Sequence, residues 1–327
     1  MSEVLVVGAG VVGLAAGYEL ARAGHRVRVV SADVPGSRQS AGRSRIFRLS
    51  HADGPLTAAA AKARELWEGW EGMAGEPLLD RVGLLLTGEV SDRDVHLRPY
   101  GGLQAMSGQR HPLAVAQDRW FFEATGAAIH AEDTVRFLQS GLELELAEAA
   151  SVDARGVTLT DGGHIDAERV VVCAGPETFR LLGAPEPARM RSVRFSFPLR
   201  EPGEHPAPCW IHRDEALCEP FYAVMDGTDH YSVGLSEATS AEVPEAAHIR
   251  DAHRRALDIV ARALPGLRPI AERVIACEFP ARQGAVGPAL AHDGWDVLEG
   301  DGVLGVTGPS LFKFAPLLGR LVVERLG

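Results

Sequence analysis

The sequence contains little positive charge, and almost none of it comes from lysine. It has 44 Asp and Glu residues against 33 Lys and Arg residues, which gives a formal net charge of -11 at pH 7. Only two residues, Lys62 and Lys313, are lysines. Nucleic-acid surfaces need clustered Lys and Arg to contact phosphates, so we expect no nucleic-acid partner.

The chain is also short of cysteine and of long apolar runs. Its four cysteines have no CxxC spacing, so we expect neither a zinc site nor a disulfide framework, and no bound metal. The apolar N-terminus lacks a basic segment and is interrupted by glycines and by Tyr18 and Glu19. It therefore predicts neither a signal peptide nor a membrane span, and we expect a cytoplasmic protein without a membrane partner.

The N-terminal stretch 4–33, VLVVGAGVVGLAAGYELARAGHRVRVVSAD, predicts a strand, a glycine turn, a helix and a second strand. Gly8, Gly10 and Gly13 follow the first strand at GxGxxG spacing. The first glycine allows a tight turn, the second lets the backbone approach a pyrophosphate, and the third lets helix and strand pack closely. The helix, predicted over 14–23, points its N-terminal amides at the phosphates, so a dinucleotide is expected here.

The expected contact to the ribose departs from this pattern. An acidic residue is usual near position 31, where this chain has Ser31, with Asp33 two residues later. Asp33 either reaches a ribose from just past the strand end or is a solvated loop carboxylate.

Residues 36–48, GSRQSAGRSRIFR, alternate arginines with apolar residues. One interpretation is a solvated loop, the usual position of charge runs. The other is that Arg45 and Arg48 point inward at an anion, because a guanidinium binds a carboxylate bidentately.

Two further apolar strands, 169–175 and 302–306, end in small-residue turns. Ligands of doubly wound folds gather at the carboxyl ends of strands, so we expect Gly175 near Gly8 and Gly10. Short strands between 191 and 236, followed by a helix over 246–264, predict an antiparallel substrate domain. Residues 91–119 show no clear period.

The chain ends in a predicted helix over 312–326. Ser310 is its expected N-cap, which places Lys313 in the first turn, where a cation opposes the helix dipole. A residue that opposes the local preference of a helix start, as this lysine does, indicates a functional role.

Four stretches of the sequence resemble the flavin-dependent D-amino-acid oxidase superfamily and, within it, the monomeric sarcosine oxidase branch. They are VLVVGAGVVGLAAGYELARAG at the N-terminus, GRSRIFR at 42–48, RVVVCAG at 169–175 and GVTGPSLFKFAPLLGRLVVERL at the C-terminus. The last is the most specific, because it carries the branch's glycine, glycine, lysine and phenylalanine pattern at Gly305, Gly308, Lys313 and Phe314.

The resemblance implies an α/β fold, in which a doubly wound, Rossmann-like FAD-binding domain stands beside a substrate domain with a large antiparallel sheet. A chain of 327 residues can bury two such cores. We expect residues 1–82, 120–188 and 272–327 to form the FAD-binding domain, and 83–119 and 189–271 to form the substrate domain.

The function implied is oxidation of the C–N bond of a small amino or imino acid. Hydride would pass from the α-carbon to flavin N5, giving an imine, and O2 would reoxidise the flavin to give H2O2. The expected partners are a small carboxylate-bearing amine and O2, and the expected state is a monomer.

The resemblance also implies roles for individual residues. Arg48 and Lys313 would hold the substrate carboxylate, and Arg45 would lie close to the flavin, which makes these three the expected catalytic residues. The implied cofactor-binding residues are Gly8, Gly10, Val11, Val12, Gly13, Asp33, Arg43, Ser44, Ala149, Gly175, Cys277, Gly308, Ser310, Leu311, Phe312 and Lys313.

Two family features need separate treatment. Many members of the branch attach FAD covalently through a cysteine, and Cys277 in RVIACEFP stands in the comparable place; it forms that link or is a small buried hydrophobe. The branch also uses a lysine to promote reaction with O2, and here Ser232 is nearest to its position. Either Arg45 supplies that charge, or the reduced flavin passes its electrons to another acceptor.

Other interpretations remain open from the sequence. A flavin dehydrogenase with a non-oxygen acceptor, an NAD(P)-dependent dehydrogenase or a non-catalytic flavin-binding subunit would share the glycine turn. An NAD(P) enzyme would not need the C-terminal pattern, and a non-catalytic subunit would not need Arg48 and Lys313. His51, Tyr222, His230 and Tyr231 are either candidate general bases or structural residues.

Overall fold

The structure is a computed structural model that describes residues 2–201, 203, 206–281, 293–300 and 302–327. Its strands are β1 (Glu3–Val7), β2 (Arg26–Ser31), β3 (Ser44–Phe47), β4 (Leu79–Asp80), β5 (Leu84–Thr87), β6 (Gln104–Gly108), β7 (Gln117–Glu123), β8 (Ala127–His130), β9 (Glu143–Leu146), β10 (Ala149–Asp153), β11 (Gly156–Leu159), β12 (His164–Asp166), β13 (Arg169–Val172), β14 (Arg189–Pro198), β15 (Cys209–His212), β16 (Phe221–Met225), β17 (His230–Leu235), β18 (Thr239–Ser240), β19 (Arg273–Pro280), β20 (Asp296–Gly300) and β21 (Val303–Thr307). Its α-helices are α1 (Val11–Arg22), α2 (Gly54–Ala74), α3 (Ser91–Leu97), α4 (Ala131–Gln139), α5 (Glu177–Leu181), α6 (Glu245–Ala263) and α7 (Ala315–Leu326), with 3-10 turns at Arg98–Tyr100 and Leu311–Phe314. In these described segments, no helix combines the length and the apolar content needed to cross a bilayer.

The chain divides into two compact units. The first unit contains Met1–Ala41, Glu132–Met190 and Glu278–Gly327, and the second contains Gly42–Ala131 and Arg191–Cys277. The predicted FAD-binding domain also includes residues 42–82, 120–131 and 272–277, which belong to the second of these compact units. Within 42–131, β3 and β4 pair with opposite edges of β8, which holds these segments together.

The first unit is built on a six-stranded sheet with the order β20-β21-β13-β1-β2-β9. All pairs are parallel except β20 with β21, so the carboxyl ends of β1, β13 and β21 lie at one edge. The central strands β1, β13 and β21 are short apolar runs, as expected for strands that are covered on both faces. Helices α1 and α7 pack closely: a Cβ on Gly319 would lie 2.7 Å from the Ala15 carbonyl oxygen. This confirms the predicted doubly wound class.

The second unit is built on a nine-stranded sheet with the order β18-β14-β17-β16-β15-β5-β7-β6, and β19 pairs with β14. One face is apolar and packs on α6 through residues such as Phe195, Tyr231 and Ile259. The other face packs a second apolar cluster that includes Leu84, Ile211 and Val224. It also carries Arg194 and Tyr222, which both pair with Gly234 of β17. This sheet confirms the predicted antiparallel substrate domain.

Candidate active site

The glycine turn after β1 fits the predicted backbone roles. Gly8 has φ +105°, and a Cβ there would overlap the Cys173 carbonyl group. A Cβ on Gly13 would overlap the Gly8 carbonyl oxygen. Both positions therefore require glycine because the strand, the turn and α1 approach one another so closely.

Gly10 differs from these two glycines. The nearest atom to a Cβ at Gly10 is Ser40 Oγ, at 3.6 Å, which is an ordinary contact distance. The backbone of Gly10 is also in an extended conformation, with φ -72°. The protein's own packing therefore leaves room for a side chain here. Packing within the protein therefore does not account for glycine at position 10. A bound pyrophosphate would account for it, because it needs close approach to the backbone.

The first turn of α1 lies close to the loop that follows β2. The Val11 amide donates to Ser40 Oγ at 2.9 Å, and the Gly36 amide donates to the Ala9 carbonyl oxygen at 2.9 Å. Val11 and Val12 are both buried. Sequence analysis missed Ser40. Its hydroxyl accepts a hydrogen bond from an amide that has no partner within the helix.

The end of β2 has a carboxylate in an ion pair. Arg38 donates to both carboxylate oxygens of Asp33, at 2.6 and 3.2 Å, and Ser31 Oγ donates to the Asp33 carbonyl oxygen at 2.9 Å. Asp33 is half-buried and Arg38 is largely exposed. The Asp33 carboxylate therefore stands just past β2, with a solvent-exposed arginine as its partner.

The carboxyl ends of β13 and β21 meet in a hydrogen-bonded cluster. Thr307 Oγ1 donates to the Gly175 carbonyl oxygen at 2.7 Å, and Gln39 Nε2 donates to the Gly308 carbonyl oxygen at 3.2 Å. A Cβ on Gly308, where φ is +152°, would lie 2.5 Å from the Gly294 carbonyl oxygen. Gly175 and Gly308 therefore occupy the strand edge at which β1 also ends.

Ser310 does not cap a helix. Its φ of 55° and ψ of 35° are left-handed, and its side chain makes no capping hydrogen bond. Among the described residues it is the only non-glycine residue with a positive φ. The predicted N-cap is wrong because residues 311–314 form a 3-10 turn before α7 begins. Left-handed backbone at a non-glycine residue costs on the order of 1–3 kcal/mol and is concentrated at functional sites.

Lys313 is buried in this 3-10 turn, with 5% of its surface exposed. Its Nζ donates to Asp293 Oδ2 and to the Ser310 carbonyl oxygen, both at 3.1 Å, and lies 5.0 Å from the centre of the Phe314 ring. Leu311 and Phe312 in the same turn are also buried. Sequence analysis missed Asp293, which stands 20 residues before Lys313.

Ala149 is the remaining predicted cofactor residue of the first unit. It opens β10 and packs with Val7 and Val30, near the ends of β1 and β2.

The second unit holds the predicted arginines. Arg45 lies on β3, is half-buried and donates to the Ser44 carbonyl oxygen at 2.7 Å. Burial and the neighbouring Arg194 guanidinium lower the pKa of Arg45 to about 9, so its charge is kept at neutral pH. Burial raises the pKa of the adjacent Tyr222, so this phenol stays protonated. Ser44 itself is buried.

Arg48 follows β3 in a loop that a buried carboxylate fixes. Glu123, with 1% of its surface exposed, accepts from the Leu49 amide at 2.6 Å and from the Ser50 amide at 3.2 Å. Arg48 is half-buried and donates to the Ser50 carbonyl oxygen. Glu123 was not predicted, because nothing in a local sequence pattern links residue 123 to residue 48.

Cys277 is half-buried on β19, and its Sγ lies 3.4 Å from Ser192 Oγ. Arg45 and Tyr222 both interact electrostatically with it. Arg43 is exposed and lies near Gly227, at the turn between β16 and β17. The structure therefore brings Cys277 and Arg45 into one cluster, and Arg43 lies at the exposed turn between β16 and β17.

Ser232, at the position of the missing lysine, is buried on β17, and its Oγ has no hydrogen-bond partner among the described residues. Of the predicted general-base candidates, Tyr231 lies in the apolar core and hydrogen-bonds to His111. His230 bonds to Asp229 and Glu272. Tyr222 lies on the opposite face of the sheet, near Arg45.

The sequence matches the DAO family of FAD-dependent oxidoreductases over residues 3–325. The chain belongs to this family. It is therefore an enzyme that depends on FAD, and the family match removes the NAD(P) alternative. The search of curated proteins returned no match.

Solved structures share the fold. One is the Tyr258Phe mutant of NikD, described as an unusual amino acid oxidase essential for nikkomycin biosynthesis, with a TM-score of 0.82 at 22% identity. The match covers 99% of this chain and 93% of the NikD chain. L-proline dehydrogenase from P. horikoshii has a TM-score of 0.77 at 16% identity, with 99% and 93% covered. Glycine oxidase from Geobacillus kaustophilus has a TM-score of 0.76 at 19% identity, with 99% and 94% covered.

The residues of the first unit fit FAD. Gly10 leaves space at the start of α1, the helix start offers amides and a positive dipole to phosphates, and Asp33 follows β2. These residues would hold the adenine dinucleotide portion. The cofactor would supply the two-electron chemistry, which no side chain can provide.

Proposed function

We propose that the protein oxidises the C–N bond of a small amino or imino acid that carries a carboxylate, and that O2 accepts the electrons. The observation that supports this most directly is the buried Lys313 ammonium. It follows β21, in the same unit as the glycine turn, at the sheet edge where ligands of doubly wound folds bind. A buried lysine in such a place suits an anionic group of a small ligand.

Each of the three basic residues has one role in this proposal. Lys313 and Arg48 bind the substrate carboxylate, and this fixes the α-carbon for transfer of its hydrogen as hydride, leaving an imine. Holding a reactant in one geometry supplies much of the rate of such a reaction. Arg45 keeps a positive charge at neutral pH and stabilises the negative charge that forms during reaction with O2.

One observation favours a second candidate, a dehydrogenase with a different acceptor. Residues 230–238 contain no lysine, whereas the resembling branch has its oxygen-reactive lysine at about this place. L-proline dehydrogenase is among the proteins of similar fold, so the fold itself does not decide the acceptor.

A single preparation tests the proposed reaction. The purified protein should be yellow and, without oxygen, should lose its flavin absorbance when mixed with at least one of glycine, N-methylglycine and proline. Methylamine, dimethylamine and pyrrolidine, which lack only the carboxylate, are the matched controls and should bleach the flavin far more slowly. Bleaching by none of the acids, or equally by the amines, would contradict the proposal.

The same preparation tests a covalent link to Cys277. After acid precipitation, the flavin should remain with the protein pellet, because a thioether survives denaturation. Replacing Cys277 with Ala should move the flavin into the supernatant while the native protein still binds it. Free flavin from the unmodified protein would show that Cys277 makes no link.

A further inference from the structure

Asp293 is the acidic partner of Lys313. Its Oδ2 lies 3.1 Å from Lys313 Nζ, and only 14% of its side chain is exposed, against 6% for Lys313. Because water is largely excluded from this pair, the two charges interact more strongly than an ion pair on the surface. In the structure, the ammonium already has a carboxylate partner within the protein.

This pairing changes what Lys313 offers to a ligand. Asp293 Oδ2 and the Ser310 carbonyl oxygen both accept from this ammonium, so a ligand must compete with groups of the protein itself. The charge of Asp293 also offsets the positive potential at Nζ. A second carboxylate that binds Lys313 must therefore approach a like charge, which opposes its binding.

We propose that Asp293 determines specificity by competing with the substrate carboxylate for Lys313. The affinity of Lys313 for an anion is then lower than it would be without the Asp293 charge. Simple carboxylates that make no other contacts with the protein therefore bind weakly. The inference rests on the proposed role of Lys313 in carboxylate binding. The opposing interpretation is an ion pair that only holds the loop before β20 to the 3-10 turn.

A pair of probes that differ in charge separates the two interpretations. Acetate and acetamide have nearly the same shape, and each is titrated into the FAD-loaded enzyme while the flavin absorbance is followed. Asp293→Asn keeps an oxygen near Lys313 but removes the charge. Asp293→Glu keeps the charge and is the matched control.

We expect Asp293→Asn to bind acetate at least about tenfold more tightly, equivalent to ~1.4 kcal/mol. Acetamide affinity should change by less than about twofold, and Asp293→Glu should stay close to the unmodified enzyme. The gain should vanish when Lys313→Met is combined with Asp293→Asn, because Asp293 acts through Lys313.

Acetate affinity that is unchanged or weaker in Asp293→Asn, while Lys313→Met weakens it, would overturn the inference and leave the proposed function standing. Acetate affinity that Lys313→Met leaves unchanged would overturn both. No acetate binding in either the unmodified enzyme or Asp293→Asn would also overturn the inference. The melting temperature of each variant shows whether it is folded.

Discussion

Two turns of the first unit follow parallel strands, one after β1 and one after β21, and different forces shape them. In the first turn, backbone groups approach so closely that Gly8 and Gly13 admit no side chain. In the second turn, Gly308 has a similar steric restriction. This turn also depends on a buried ion pair between Lys313 and Asp293, and it contains Ser310 in a left-handed conformation. The first turn can be recognised from spacing alone, whereas the second depends on residues that are distant in the sequence.

The largest expected effect concerns the steric glycines of the first turn. Gly8→Ala and Gly13→Ala should each lower the free energy of unfolding of the flavin-free protein by about 3 kcal/mol or more, because the new methyl group overlaps a backbone carbonyl. Urea unfolding measures the loss. The control is Gly69→Ala in α2, where a Cβ would meet nothing within 4 Å. Gly69→Ala should not lose stability, since alanine favours a helix over glycine, and the absence of a loss in Gly8→Ala and Gly13→Ala as well would contradict the steric account.

Arg45 extends the comparison to the second unit, where charge rather than sterics is proposed to act. Arg45→Met should slow the reaction of the reduced enzyme with O2 by about 100-fold and leave reduction by substrate unchanged, because a preorganised charge is worth a few kcal/mol. Stopped-flow mixing of reduced enzyme with O2 measures this. Equally fast reoxidation in both forms would exclude Arg45, and slow reoxidation in the unmodified enzyme would indicate the dehydrogenase.

Gly10 sharpens the contrast within the first turn. Gly10→Ala should weaken FAD binding by at least about tenfold, or ~1.4 kcal/mol, because its methyl group takes space that a pyrophosphate would use. The unfolding free energy of the flavin-free protein should stay within about 0.5 kcal/mol. Flavin fluorescence during refilling of the apoprotein measures the affinity. A large loss of stability would show that Gly10, like Gly8, is needed by the protein itself.

Ser310 gives the smallest expected effect. Ser310→Gly should raise the unfolding free energy by roughly 0.5 kcal/mol, because relief of the left-handed strain is partly offset by the larger chain entropy that glycine loses on folding. Differential scanning calorimetry of the flavin-free protein is the measurement. A clear loss of stability would instead mean that the serine side chain holds the turn together.

Sequence patterns predicted the elements that have one clear period. The first strand and helix were predicted, and so were the short strands between 191 and 236, where the structure has β15, β16 and β17. The segment 91–119 was not, because α3, β6 and part of β7 are short and largely exposed. Local patterning carries little signal where few residues are buried.

The candidate site was predicted in part, and the limit again was sequence distance. The glycines after β1 were identified by their spacing, and Lys313 was identified through the family resemblance of the C-terminal stretch. Asp293 and Glu123 contact their partners only after strands have paired, and Arg194 reaches the vicinity of Arg45 from a different strand. The 3-10 turn at 311–314 was missed because its residues fit a helix as well.

The most direct test of the proposed function compares Lys313→Met with the unmodified enzyme. The rate of flavin reduction by the best amino or imino acid is divided by the rate for the same amine without its carboxylate. We expect a large ratio in the unmodified enzyme and a loss of about 30-fold or more in the variant, because a charge-assisted bond to a desolvated carboxylate is worth on the order of 2–4 kcal/mol. FAD should remain bound. A ratio that Lys313→Met leaves unchanged would contradict the proposal that this lysine holds the substrate carboxylate.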